Sequence, residues 1–174
     1  HFCAVDQIAN VFLNDNYVGE HHGGYLPFEF DVTSFVKVGS NTIKVEVVDN
    51  LDINYPYGKQ RKKRGGMWYT PISGIWQTVW LESVPEKYIE RIKITSTLDS
   101  VSIRVFGGEN KKRITFFNGE KQQIFEFEGD SVELKIDNPV LWSPENPHLY
   151  RFTLFSGDDT VQSYFALRKI DIKE

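Results

Sequence analysis

The chain of 174 residues has one cysteine, one methionine and no long apolar run, and each shortage excludes something. Cys3 by itself cannot form an intramolecular disulfide framework or a cysteine-rich zinc site. Its apolar-rich surroundings point to a buried, inert thiol. No apolar stretch approaches the length that a membrane-spanning helix needs. A sustained 3.6-residue period is missing throughout, as are internal repeats and low-complexity tracts. Positive charge is not in excess either. The formal net charge of −4 and the pI near 5.6 argue against general binding to nucleic acid or to anionic membranes. No signal peptide is visible, and the chain opens His1-Phe2-Cys3-Ala4-Val5, which reads as a strand.

What is present is β structure. Apolar residues make up 40% and charged residues 25%, enough for ordinary hydrophobic cores and too balanced for disorder. Aromatic residues reach 14%; they suit half-buried pleated surfaces and also stack on sugar rings, so their number does not decide between core and ligand. Period-two alternation dominates. Ile43, Val45 and Val47 face one way while Lys44 and Glu46 face the other. Val101, Ile103 and Val105, then Val132, Leu134 and Ile136, then Tyr150, Phe152 and Leu154 repeat the pattern with polar residues between them. Strands with one wet face belong to antiparallel sandwiches. Turn residues fall between them: Asn14-Asp15-Asn16, Gly107-Gly108, Asn118-Gly119 as a two-residue hairpin, and Gly157-Asp158-Asp159.

The predicted fold class is all-β, with a boundary near Val84-Pro85-Glu86 that divides the chain into residues 1–84 and 85–174. The second block has about the seven short strands of an immunoglobulin-like sandwich. The first block, which includes a Trp-bearing strand from Ile75 to Leu81, has too few strands for a closed jelly roll and opens mid-strand.

Several stretches together resemble one family. Ala4-Val5-Asp6, Val11-Phe12-Leu13-Asn14 and the run from Val18 through His21-His22-Gly23-Gly24-Tyr25-Leu26-Pro27-Phe28 to Asp31-Val32-Thr33 resemble the sugar-binding, galactose-binding-like jelly roll of family 2 glycoside hydrolases. Gly39-Ser40-Asn41-Thr42-Ile43-Lys44-Val45 is similar to its next strand, and Ser73-Gly74-Ile75-Trp76-Gln77-Thr78-Val79-Trp80-Leu81-Glu82 to its closing strand. Leu141-Trp142-Ser143-Pro144 through Tyr150 resembles the approach to a late strand of that family's immunoglobulin-like domain. Leu167-Arg168-Lys169-Ile170-Asp171-Ile172 is similar to the strand that hands over to the catalytic barrel. Physical sense accompanies the pattern. Gly23-Gly24 permits positive φ before Tyr25, Asp31 can cap the turn after it, and Trp142 fits a loop anchored by one buried ring.

The resemblance implies the non-catalytic N-terminal portion of a retaining β-glycosidase, of the β-galactosidase type, engaged in carbohydrate metabolism. Members of this family use two glutamates on a (β/α)₈ barrel, about 5–5.5 Å apart across the scissile bond. Neither those glutamates nor the family's Asn-Glu signature is in this chain, so no catalytic residue is expected here. The implied partners are a β-glycoside substrate, the barrel and N-terminal strands of the same protein, and a second copy if unpaired edges self-associate. No cofactor, metal, nucleic acid or membrane is expected. One cysteine and no visible signal fit a bacterial cytoplasm. The family's jelly roll lends a loop to the sugar pocket, and here that loop runs from Asn54-Tyr55 through Arg64 to Pro71. Many relatives carry an Asp that, counted back from Gly74, falls on Trp68, so aromatic stacking is expected in its place. Tyr55, Arg64, Trp68 and Tyr69 are the candidate substrate-binding residues.

Other features weigh less. Lys59-Gln60-Arg61-Lys62-Lys63-Arg64 reads as a solvated or interdomain loop. His21 and His22 are adjacent in a strand, point to opposite faces and cannot chelate one metal together. Asp6 and Asp31 can order loops. Two other functions stay open, a stand-alone carbohydrate-binding module and a protein-interaction fragment built from sandwiches.

Overall fold

The computed structural model describes residues 1–63 and 65–172, and among them it contains strands and turns but no helix. The fold is all-β. The chain divides into two compact units, His1–Glu82 and Ser83–Glu174.

The first unit holds β1 (Val5–Asp6), β2 (Ile8–Leu13), β3 (Asn16–His22), β4 (Ile43–Val48) and β5 (Gly74–Ile75). β2 lies between β3 and β4 in an antiparallel sheet. Its alternating Ala9, Val11 and Leu13 are buried, and Phe2, Val5, Val18, Phe28, Phe30, Val45 and Val47 complete the core around them. Ile43 does not join Val45 and Val47; it starts an edge strand where nothing covers it and is 54% exposed. The β2–β3 hairpin turns on Asn14 (φ 51°) and Asp15 (φ 65°), both left-handed, the type I′ geometry that matches strand twist. Asn14 is more than a turn residue. Its amide donates to the Phe35 carbonyl at 2.9 Å and to Asn41 Oδ1 at 2.8 Å, and its oxygen accepts the Thr42 N–H at 3.0 Å.

The expected strand from Ile75 to Leu81 survives only in part. Ile75 pairs with Val5 and Val79 with Phe2, so three residues, Trp76 to Thr78, oppose two, Cys3 and Ala4. The extra residue is a β-bulge, which breaks regular pairing and re-aims side chains. Cys3, expected to be buried, is only half-buried beside it.

The second unit is a seven-stranded sandwich. β6 (Ile89–Ser96), β7 (Ser100–Gly107) and β10 (Ser131–Lys135) form one sheet in the order β10-β7-β6. β8 (Lys111–Asn118), β9 (Lys121–Glu128), β11 (Tyr150–Ser156) and β12 (Asp159–Phe165) form the other in the order β12-β11-β8-β9. Three strands against four, all antiparallel, is the immunoglobulin-like arrangement. Val101, Ile103, Val105, Leu134 and Ile136 meet Ile114, Phe116, Tyr150, Phe152, Leu154 and Phe165 in a single core.

Local details differ from expectation in three places. The β8–β9 turn is Gly119-Glu120, because Asn118 still pairs with Lys121 and its amide donates to the Asp137 carbonyl at 2.9 Å. Gly119 (φ 62°) takes the first turn position, as a type II′ hairpin requires. Trp142 is half-buried, its ring 5.0 Å from the Arg168 guanidinium. The ring that anchors this loop is Tyr150, 1% exposed, whose hydroxyl accepts the Val140 N–H at 2.7 Å. A Tyr at the start of this strand bonding back upstream is the tyrosine corner of such sandwiches. Finally, Leu167 is buried and bridges Leu141, but residues 168–172 form no strand.

Tyr150→Phe removes the hydroxyl that accepts the part-buried Val140 N–H and should destabilise the second unit by about 1 kcal/mol in urea unfolding. Asn14→Ala removes three side-chain hydrogen bonds and puts a poorly tolerated residue at positive φ, so it should cost the first unit about 2 kcal/mol or more. A loss under about 0.5 kcal/mol in either variant would show that the bond concerned holds nothing in place.

Candidate functional site

The long connection between β4 and β5, residues 49–73, is not a free loop. Two buried amides pin it. Gln7, 1% exposed, donates to the Asp52 carbonyl at 3.2 Å and accepts the Asp52 N–H at 3.3 Å. Gln60, 8% exposed, donates to the Tyr57 carbonyl at 2.8 Å and accepts the Ile72 N–H at 2.7 Å. Aspartates shape the span at its start, where Asp49 accepts the Leu51 N–H and Asp52 accepts the Asn54 N–H.

Where this loop returns to the sheet, a pocket of about 160 Å³ opens, lined by Asp6, Tyr25, Gln60, Ile72, Gly74 and Trp76, with Ser73 between. Its walls are aromatic. The Tyr25 and Trp76 rings meet edge to face, 5.7 Å between centroids, and the Trp76 indole N–H donates to the Gly24 carbonyl at 2.7 Å. Its floor is a carboxylate. Asp6 ends β1 opposite Gly74 and is 6% exposed, and its buried Oδ1 has no hydrogen-bond partner. Gly24 permits this packing, because a Cβ there would collide with Oδ1. Burial pushes the Asp6 pKa up, the charge of Asp49 pushes it further, and the nearby Gln60 side chain draws it partly back. A pocket that joins a carboxyl group to aromatic walls is suited to a ligand that has hydroxyl donors and an apolar face.

The residues expected from sequence lie elsewhere on the same loop. Tyr55 is half-buried and its hydroxyl is 3.0 Å from His22 Nδ1. Trp68 is half-buried beneath the Arg61 guanidinium, 3.8 Å from its ring. Tyr69 is 65% exposed, and its backbone N–H donates to the Lys59 carbonyl at 2.7 Å. Arg64 lies outside the described residues. None of the three described candidates lines the pocket. The sequence reading missed Gln60, hidden in a basic run, and passed over Asp6 as a loop-ordering residue. The signal for Asp6 was there, a carboxylate closing an apolar run just before an alternating strand. His21 turns inward onto Phe28, with centroids 4.2 Å apart, while His22 turns outward. Among the described residues, no group of three or more His, Cys, Asp or Glu could hold a metal ion.

The sequence matches the profile "Glycosyl hydrolases family 2, sugar binding domain" over residues 1–85, and the profile "Glycosyl hydrolases family 2" over residues 83–168. A β-galactosidase of Thermoanaerobacter pseudethanolicus is 32% identical across 94% of this chain and 24% of its own length. A putative β-glucuronidase of Formosa agariphila is 28% identical across 100% of this chain and 23% of its own. The chain thus spans about a quarter of these curated relatives. Among solved structures, the β-glucuronidase of Lactobacillus rhamnosus superposes with a TM-score of 0.77 at 26% identity, over 99% of this chain and 32% of its own. A Ruminococcus gnavus β-glucuronidase solved with D-glucuronic acid reaches 0.79 at 22% identity, over 99% and 33%, a likeness of fold.

The raised pKa of Asp6 has a stability consequence. The folded state holds the Asp6 proton to higher pH than the unfolded chain, whose carboxyl titrates near its ordinary value of 3.8. Stability therefore falls as pH rises from there through the raised value, and the full cost is present above it. Asp6→Asn should flatten that part of the curve of urea midpoint against pH, and an unchanged slope would mean that Asp6 ionises freely in the folded state.

Proposed function

The chain belongs to glycosyl hydrolase family 2, and from that membership we propose that it is the non-catalytic, sugar-facing portion of a retaining β-glycosidase of the β-galactosidase type. In this reading the second unit is a rigid support for the catalytic barrel, and the first lends the sugar site a wall. The observation that carries the reading is the pocket of Asp6, Gln60, Tyr25 and Trp76 within the unit that matches the sugar-binding profile. Hexoses offer what this pocket asks for. Their hydroxyls donate to carboxylates, and their C–H faces pack on indole and phenol rings. An ionised Asp6 repels a uronate ring and accepts from a neutral one, which favours a galactoside over a glucuronide. Relatives named β-galactosidase lend that choice support, while another relative and the similar solved structures are named β-glucuronidase. Tyr55, Trp68, Tyr69 and Arg64 belong to the same loop and are proposed to contact the substrate beyond the pocket. A second reading, a carbohydrate-binding module acting by itself, draws on the fact that every pocket residue lies in the first unit.

Two assays test these readings, the first common to both and the second separating them. The chain should release no nitrophenol from nitrophenyl β-galactoside or β-glucuronide, because it carries no catalytic glutamate pair. Methyl β-galactoside should perturb tryptophan fluorescence through Trp76, and Asp6→Asn should weaken that binding about tenfold, the worth of one charge-assisted hydrogen bond. Millimolar or tighter affinity favours the independent module. A response only at far higher concentration favours a wall that needs its barrel. A fluorescence change that ignores both Asp6→Asn and Trp76→Phe would refute the pocket as the sugar site.

A further inference from the structure

The basic turn that flanks this pocket is unusual for an acidic protein. Five of the chain's 20 Lys and Arg, and none of its 24 Asp and Glu, fall within positions 59–64. Elsewhere four exposed lysines pair with carboxylates, Lys44 with Glu46 at 3.0 Å, Lys87 with Glu109 at 3.1 Å, Lys111 with Glu128 at 3.7 Å and Lys169 with Asp171 at 2.6 Å, while Lys37, Lys93, Lys121 and Lys135 stand unpaired among the described residues, scattered rather than clustered. Among the described residues, Lys59, Arg61, Lys62 and Lys63 have no such partner, and all four are exposed. Arg61 is nonetheless held in place. Its guanidinium lies 3.8 Å over Trp68, a stacking that leaves its edge N–H groups free for a planar anion. Lys59 is tied through its carbonyl to the backbone of Tyr69, a residue that is 65% exposed. Between Lys59 and Arg61 stands Gln60, whose buried amide lines the pocket.

We propose that Lys59, Arg61, Lys62 and Lys63 bind the carboxylate or sulfate groups of an acidic polysaccharide, whose neighbouring neutral sugar enters the Asp6 pocket. The proposal rests on the sugar-facing reading of that pocket and names the substrate class it serves. Each part of the site selects differently. The buried Asp6 carboxylate rejects a negative ring and accepts hydroxyls. The turn attracts negative groups one or two rings away, and the exposed Tyr69 adds an aromatic side chain on which a sugar can stack. Unpaired cations cost nothing in water and gain most from a ligand carrying several charges at once, so a chain of acidic sugars fits better than a single anion. Nucleic acid fits less well, since its duplex backbone demands a broad basic face and this chain has a net charge of −4.

The test is isothermal titration of the chain at 50 and 200 mM salt with chondroitin sulfate for the sulfate arm and polygalacturonate for the carboxylate arm. Neutral galactan and a twenty-base thymidine oligonucleotide serve as comparisons. At least one acidic polysaccharide should bind, weaken with salt, and lose tenfold or more in affinity in the Arg61→Ala/Lys62→Glu/Lys63→Glu variant. That variant should keep the methyl β-galactoside response and the parent melting temperature. No binding to either polysaccharide, binding that ignores the triple variant, or equal or tighter binding of the oligonucleotide would each overturn the proposal. If methyl β-galactoside fails while the polysaccharide binds through the turn, the pocket reading falls and the anionic site stands.

Discussion

The pairing of residues 1–6 with residues 74–80 places nearly every group that matters in the first unit. Val5 and Asp6 face Ile75 and Gly74 in one register, and Phe2 faces Val79 in the next, one residue offset. A regular ladder would put alternate side chains of this segment on fixed faces. The extra residue between Trp76 and Thr78 breaks that alternation beside Asp6, where Trp76 reaches back to the Gly24 carbonyl. Gly24 in turn leaves no room for anything but the Asp6 carboxyl. Backbone pairing, a bulge and a missing Cβ together create a cavity that no single strand would make.

The long loop then inherits its position from the sheet. A connection of this length is normally mobile, because few backbone groups find partners. Here Gln7 and Gln60 act as backbone substitutes, each accepting one N–H and donating to one carbonyl. A side-chain amide can satisfy both kinds of peptide group at once, and burial makes each bond costly to break. The same two residues carry the loop to the pocket rim, so the cations beside Gln60 are presented from a fixed base.

The sandwich was legible from sequence because its signal is local. Alternation in Val101 to Val105 and in Tyr150 to Leu154 reports directly which face is buried, and those residues form the core. Asn14-Asp15 announced a hairpin, though not that Asn14 also ties down the chain at Phe35 and Thr42. What escaped the reading is non-local. Ile75 to Leu81 has the composition of one strand, and only its offset partner reveals the bulge. Trp142 draws attention by size, yet Tyr150 anchors the loop because its hydroxyl accepts the Val140 N–H ten residues back. Gln60 sits among five cations, and no periodicity distinguishes a buried amide there. Asp6 becomes a site residue only once Gly24, Gln60 and Trp76, from three distant segments, converge on it.

Polar satisfaction separates the two units more sharply than any motif. In the second, even the buried Lys112 is provided for, its ammonium donating to the carbonyls of Glu109 at 2.5 Å and Gly129 at 3.0 Å. Among the described residues, the buried side-chain atoms without a partner are Asp6 Oδ1 and His21 Nε2, and both belong to the first unit. Buried polar atoms are almost always paired, so an exception marks either a defect or a place where a ligand completes the bonding. His21 is accounted for by its stacking on Phe28, an apolar neighbour that offers its ring nitrogen nothing. Asp6 has no such account. It lies at the base of an open pocket, its charge is opposed by burial and by Asp49, and its free oxygen meets the one glycine that lets it stay. A chain selected for stability alone would place an apolar residue or an amide there. The carboxylate is therefore consistent with the sugar-facing pocket proposed above, while among the described residues the second unit has no such unpaired buried side-chain atom.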